Sequence, residues 1–239
     1  PTHNVSSAAS DVYKRQYFMK LAYKEDPLPK YIAVEGPIGV GKTTLANKLA
    51  KSFNYDILLE MPAENPFLEA SYKNPTQSAL AAQLFFLFQR VQQMEELKQR
   101  SLFEPVRVAD FILEKDRLFA EVVLSAEEMK LYDKVYEHLT LDSPTPDLVI
   151  YLQAPVEVLM GRIDKRGNEY EQYLTNEYLT KINEAYSRFF LDYEKAPVLI
   201  VNAADINFEE NEEDYEMLVT KIMSNPKGKT FINPQPSIL

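Results

Sequence analysis

The chain has 239 residues, 46% of them hydrophobic, no cysteine, two histidines and a formal net charge of −10. That length suits one α/β domain with short tails. The lack of cysteine excludes disulfides and thiolate metal sites and fits a reducing cytoplasm. The acidic balance disfavours a polyanionic nucleic-acid partner, and no stretch approaches a membrane span, since the apolar run Leu84-Phe-Phe-Leu-Phe88 stops at Gln89-Arg90.

Residues 6–16, Ser-Ser-Ala-Ala-Ser-Asp-Val-Tyr-Lys-Arg-Gln, back-translate codon for codon into a transposon-type sequencing adapter. Residues 1–16 are therefore expected to be a leader without function, with native sequence from about Tyr17 or Met19. Tyr31-Ile-Ala-Val-Glu35 reads as a short buried strand, and Leu45, Leu49 and Phe53 recur at helical spacing after it. Between them lies Gly36-Pro-Ile-Gly39-Val40-Gly41-Lys42-Thr43-Thr44, which has the G-x-x-x-x-G-K-[ST] spacing of a phosphate-binding loop. Strand, glycine loop and helix N-terminus form the context this motif requires. Backbone N–H groups and the helix end attract phosphate oxygens. Lys42 is expected to bridge the outer phosphates and the Thr43 hydroxyl to ligate Mg²⁺. The chain is thus expected to bind a nucleoside triphosphate such as ATP.

Tyr55–Glu60 reads as a second strand ending on a carboxylate, and Pro62–Pro75 as a turn-rich connection containing Asn65-Pro66 and Tyr72. A long helix follows from Ser78 to about Arg100. Val106–Asp110 reads as a third strand, again ending on an acid. Two helices, Glu114–Val123 and Ala126–Leu139, lead to a fourth strand at Leu148–Leu152 and a helix at Pro155–Lys165. A polar stretch at Arg166–Thr175, a helix to about Lys195, a fifth strand at Val198–Val201 and a helix at Asp214–Met223 complete the domain, leaving a tail over 224–239. The alternation predicts a doubly wound parallel five-stranded sheet flanked by helices, of the type found in phosphate-loop NTPases, with one domain over 17–223.

Ligands of such sheets sit beyond the carboxyl ends of the strands. The phosphate loop, Glu60 and Asp110 therefore converge on one cleft, where one acid serves Mg²⁺ and the other accepts a proton from a hydroxyl nucleophile. Gln83 and Arg90 are seven residues apart and share a helix face. A glutamine amide offers a donor and an acceptor side by side for a nucleobase edge, and Arg90 adds a fork of donors that Asp116 can orient. Arg162 and Arg166 close a helix, either as an ordinary basic last turn or as a lid over the transferring phosphoryl group. A GTPase switch is disfavoured because no N-K-x-D guanine-reading segment exists. An ATP-driven motor would want a second acid beside Asp110.

The ordered series Gly36–Thr44, Glu60 with Glu64-Asn-Pro-Phe67, Tyr72, Gln83 with Arg90, Asp110 to Asp116-Arg117, and Arg162, Arg166-Gly167 and Glu171 resembles the deoxynucleoside kinase family, in particular a bacterial branch of it. The resemblance runs from about Lys30 to Ile222. It implies transfer of the γ-phosphate of ATP or another NTP to the 5′-hydroxyl of a deoxynucleoside, in nucleotide salvage, by a cytoplasmic homodimer. It further implies Glu60 as general base, Gln83, Arg90 and Asp116 as base readers, and Tyr72 with Glu171 at the sugar 3′-hydroxyl. Arg162 and Arg166 become lid arginines, and Asp110 serves Mg²⁺. Ala82 stands where deoxycytidine kinase carries phenylalanine, which points to a purine.

Three positions depart from the family pattern. The acid-arginine-serine segment is here Asp110-Phe111-Ile112, a further lid arginine is Asn168, and Glu-Pro is Glu60-Met61. Arg117 and Lys115 are the nearby cations that could stand in for the missing arginine. A nucleoside monophosphate kinase of thymidylate type and a non-catalytic nucleotide-binding protein are the competing readings.

Overall fold

Buried on both faces, the central strands of this protein need no alternation, and their sequences are continuous apolar runs. The computed structural model describes residues 28–100, 107–140, 143–208 and 211–232, without the side chains of residues 96–100. The expectations for residues 1–16 and for the native start lie outside these. Six parallel strands form one sheet: β1 (Tyr31–Glu35), β2 (Asp56–Leu58), β3 (Arg107–Ala109), β4 (Leu148–Gln153), β5 (Val198–Asn202) and β6 (Lys229–Ile232). Their spatial order is β2-β3-β1-β4-β5-β6, so the chain moves outward from β1 on one side and then returns to cross to the other. That reversal places a topological switch point at the carboxyl end of β1.

The predicted sheet had five strands; the sixth lies inside the stretch read as a tail. β6 is four residues long at the sheet edge, pairs among the described residues with β5 alone and leaves Phe231 exposed. So short an edge strand carries almost no periodic signal.

The helices are α1 (Lys42–Phe53), α2 (Leu68–Lys73), α3 (Pro75–Arg100), α4 (Glu114–Val123), α5 (Ala126–Thr140), α6 (Val156–Arg166), α7 (Asn176–Asp192) and α8 (Glu212–Met223). On one face of the sheet, Leu45 and Leu49 of α1, Leu159 and Ile163 of α6 and Leu218 of α8 pack on Ile32 and Val34. On the other, Leu118 of α4 and Ile182, Tyr186 and Phe190 of α7 pack on Ala33, Val149 and Tyr151. Tyr151 and Phe190 stack with ring centroids 4.1 Å apart. Full burial of each such aliphatic side chain stabilises the fold by about 1.5–3 kcal/mol.

The glycines of the first loop are dictated by contact. Gly36 has φ 146°, and a Cβ there would lie 2.4 Å from the Leu152 carbonyl oxygen of β4. Gly39 has φ 83°, and its Cβ would lie 2.9 Å from both the Ile163 side chain and the Leu159 carbonyl of α6. The loop is therefore pressed between β4 and the helix that carries Arg162 and Arg166.

Candidate active site

The phosphate loop, Glu60 and Asp110 follow the carboxyl ends of β1, β2 and β3, and the segment with Arg166 and Glu171 joins them from the end of α6. After β1, the chain enters α1 through Gly41, which adopts a left-handed conformation and supplies no side-chain cap. The first N–H groups of α1 are thus left for an anion. The Lys42 ammonium curls back over the loop and donates to the carbonyls of Gly36 and Pro37, at 2.9 and 3.0 Å. Thr43 Oγ1 donates to Asp110 Oδ2 at 2.6 Å, and the Glu60 backbone N–H donates to Asp110 Oδ1 at 2.8 Å. Asp110 thereby ties the phosphate loop to the end of β2.

A cleft opens over this junction. Lys42, Thr43, Glu60, Tyr72, Gln83, Arg90, Asp110, Asp116, Arg166 and Glu171, all singled out from the sequence, line it together. Glu60 is held by two cations: Arg90 reaches one carboxylate oxygen, and the Lys115 ammonium lies 2.5 Å from the other. Arg90 also pairs with the buried Asp116, and the rings of Phe86 and Phe111 lie 5.2 and 5.4 Å from its guanidinium carbon. On the opposite wall, Arg166 donates to Glu171 through Nε at 3.0 Å and Nη2 at 2.5 Å. Asn168, in place of a third lid arginine, donates to the same carboxylate at 3.0 Å. Tyr72 stands beside Tyr178, ring centroids 5.8 Å apart.

Among the described residues, three buried polar atoms on the α3–α4 wall lack hydrogen-bond partners beyond the Arg90–Asp116 ion pair: Nε of Arg90 and both oxygens of Asp116. The buried Gln83 side chain lines the cleft beside them. Buried polar groups are nearly always hydrogen-bonded. This wall therefore presents donors and acceptors to a flat polar ligand.

Arg162 sits elsewhere than a position over the cleft. Its guanidinium donates to the carbonyls of Val40 and Ala203, at 3.2 and 2.7 Å. It lines a neighbouring groove with Gly41, Thr44, Ala204 and Phe208, on the outer side of the phosphate loop. The i, i+4 spacing put Arg162 and Arg166 on one side of α6, and both line this groove, but only Arg166 also lines the cleft. Arg117 also lies outside the cleft, where it pairs with Glu121 and Asp133.

Two residues of the site were not resolved by the sequence: Glu35 received no role, and Lys115 was offered only as an alternative to Arg117. Glu35, fully buried, accepts from the backbone N–H of Gly36 at 2.7 Å and of Ile112 at 3.0 Å, and from the Tyr186 hydroxyl at 2.9 Å. It locks the phosphate loop to the segment after β3. Its signal was present, because Glu35 ends an apolar strand as Glu60 and Asp110 do. Lys115 is the other, and only packing shows that it turns inward while Arg117 turns out.

The site is electrostatically expensive. Burial pushes the Lys42 ammonium down to about 7, helped by the positive charges of Lys115 and Arg166 and opposed by Glu35 and Asp110. Burial likewise pushes Lys115 down to about 8. Between those values and the ordinary 10.5, the unfolded chain binds more protons than the folded one, so stability rises with pH. Buried tyrosines act in the opposite sense. Tyr55 and Tyr215 are pushed from 10.0 up to about 12, so above pH 10 the unfolded chain loses protons that the folded one keeps. The Tm of the ligand-free protein should therefore climb between pH 7 and about 9.5 and drop beyond 10. A fluorimetric melting series that falls steadily from pH 7 would refute this balance.

Comparison with known proteins gives the same picture. A family described as deoxynucleoside kinase matches residues 32–225. The deoxyguanosine kinase of Bacillus subtilis (strain 168) is 34% identical over 198 residues, covering 80% of this chain and 95% of that protein. The deoxyadenosine/deoxycytidine kinase of the same organism is 30% identical, covering 84% and 96%. A structure of deoxyadenosine kinase from M. mycoides, with the products dCMP and a flexible dCDP bound, is 26% identical. It superposes with a TM-score of 0.72 over 81% of this chain and 99% of that one. Among the described residues, no helix is long and apolar enough to cross a membrane. The phosphate loop, the acids at the strand ends and the similarity over four-fifths of the chain agree: the chain belongs to the deoxynucleoside kinase family and is a deoxynucleoside kinase that uses a nucleoside triphosphate as phosphate donor.

Proposed function

We propose that the chain transfers the γ-phosphate of ATP or another NTP to the 5′-hydroxyl of a purine deoxynucleoside, deoxyadenosine or deoxyguanosine. The observation that carries the base-reading part is that Gln83 and the Arg90–Asp116 ion pair line one wall of the cleft, with Arg90 Nε left without a hydrogen-bond partner among the described residues. The purine preference is supported by the 34% identity to a deoxyguanosine kinase. The small side chain of Ala82 lends it no weight. Ala82 is fully buried with its carbonyl accepting from Asn65, and it does not line the cleft.

In this reading the nucleobase meets Gln83, Arg90 and Asp116, and the sugar 3′-hydroxyl lies between Tyr72 and Glu171. Glu60 takes the 5′-hydroxyl proton as the oxygen attacks phosphorus in line. Lys42 stabilises charge on the equatorial oxygens, and so does Arg166 once it exchanges Glu171 for phosphate. Arg162, lining the groove beyond the phosphate loop with Thr44 and Phe208, flanks the donor nucleotide instead of the reacting phosphoryl group. The Thr43 hydroxyl and Asp110 carboxylate, 2.6 Å apart, fit Mg²⁺, which takes few protein ligands and fills its shell with phosphate and water. When bound there, the ion would neutralise charge on the β- and γ-phosphates.

A homodimer is part of the proposal. Phe88 of α3 and Leu131 of α5 are half exposed over a helical layer built on Leu87, Leu113, Ala120 and Tyr132. The deciding experiment incubates purified chain with Mg-ATP and each of four deoxynucleosides and four ribonucleosides, with products identified by mass. Purine deoxynucleoside 5′-monophosphates are expected to dominate. Preferential phosphorylation of pyrimidines or ribonucleosides would overturn the substrate assignment. Sedimentation of the same preparation as a monomer at micromolar concentration would overturn the dimer.

A further inference from the structure

Glu60 has two cationic partners where a proton acceptor needs at most one, and they differ in what else they touch. Arg90 is shared with Asp116 and faces the groups that await a nucleobase. Lys115 has Glu60 as its only ion-pair partner among the described residues, at 2.5 Å. It is almost completely buried, and the Phe119 ring lies 5.5 Å from its nitrogen. No other side chain of the segment can take its place. Phe111 is fully buried against Arg90 and Met94, and Arg117 is outside with Glu121 and Asp133. Besides Arg90 of α3, the positive charge against Glu60 therefore comes from one position of α4.

We propose that Lys115 is the positioning counter-ion of Glu60 during phosphoryl transfer, filling the role left vacant by Phe111. With Arg90 and Asp116 engaged by the nucleobase, Lys115 alone holds the Glu60 carboxylate toward the 5′-hydroxyl. During the step the 5′-oxygen forms its bond to the γ-phosphorus, the bond from that phosphorus to the β-bridging oxygen breaks, and the hydroxyl proton passes to Glu60. Lys115 stays protonated throughout. Once Glu60 is neutral, the ammonium is left facing the newly transferred phosphoryl group, so its charge is balanced on both sides of the reaction. A fixed cation that needs no reorganisation is the kind of group that lowers such a barrier.

This inference rests on Glu60 being the general base, and the test separates the two. Lys115→Met, Lys115→Arg and Glu60→Gln are assayed in the full chain with Mg-ATP and its best deoxynucleoside. Lys115→Met is expected to lower kcat about 10²-fold, the range seen for loss of one transition-state donor, while deoxynucleoside KM changes less than threefold. Lys115→Arg should recover at least tenfold of that loss. Glu60 keeps Arg90 as a partner when Lys115 is removed, so the Met variant should melt cooperatively near the wild-type Tm, which distinguishes a catalytic defect from a folding one. If Lys115→Met keeps kcat within threefold while Glu60→Gln is inactive, the counter-ion role falls and the general base stands. If both keep full turnover, both assignments fall. A loss in Lys115→Met that appears wholly in KM, or only together with a lowered Tm, also refutes the role.

Discussion

Replacing Glu60 with glutamine is expected to lower kcat by at least about 10²-fold, the low end for loss of a general base. The substitution preserves shape but removes both the basic oxygen and the negative charge between Arg90 and Lys115. Base recognition should survive, since Asp116 still pairs with Arg90, and Gln83 and Tyr72 are untouched. Deoxynucleoside affinity should therefore stay within a few-fold, and the loss should appear in kcat. The main structural consequence is that Lys115 loses its counter-ion in a buried setting already unfavourable to its charge. Some loss of Tm at neutral pH should follow, shrinking as pH rises and the lysine gives up its proton. Near-wild-type turnover with unchanged affinity would remove Glu60 from the chemistry.

Much of this site could be read from the chain because its parts sit at fixed places in a regular pattern. Apolar strands ending on Glu35, Glu60 and Asp110 announce a common edge, and a seven-residue interval puts Gln83 and Arg90 on one face of α3. Those are short-range properties, and packing preserved them. What could not be read depends on which way a side chain turns after the helix is set. Lys115 and Arg117 are two residues apart on α4, chemically alike and equally plausible as cations of the cleft. Only burial against Phe119 sends one inward, and only Asp133 of α5 holds the other outside. Arg162 and Arg166 share a side of α6, but Arg162 is held by the carbonyls of Val40 and Ala203 while Arg166 turns to Glu171, partners that lie far from them in sequence or only form after folding. The strand β6 was missed for a different reason. Four residues at an edge gain their definition from pairing with β5, not from their own sequence.

Lys42→Met is expected to reduce kcat/KM for the triphosphate by at least about 10²–10³-fold, the loss associated with one preorganised donor at a developing oxyanion. The structure shows why the side chain is poised for this. Its nitrogen is anchored by two loop carbonyls and, among the described residues, meets no carboxylate at ion-pair distance, unlike Arg90, Lys115 and Arg166. A third N–H is left for phosphate, and the charge lies above the uncapped start of α1. Holding an ammonium there costs stability, because burial and two neighbouring cations drive its pKa down to about 7. A polyphosphate reverses that imbalance, so the free energy withheld from folding becomes available to binding and to the transition state. Two consequences separate this account from simple disruption of the loop. The methionine variant should melt no lower than wild type without ligand. It should also lose most of the Tm increase that the triphosphate gives the wild-type protein, while the increase given by deoxynucleoside alone persists. Retained phosphorylation in that variant would contradict the assignment of the loop itself.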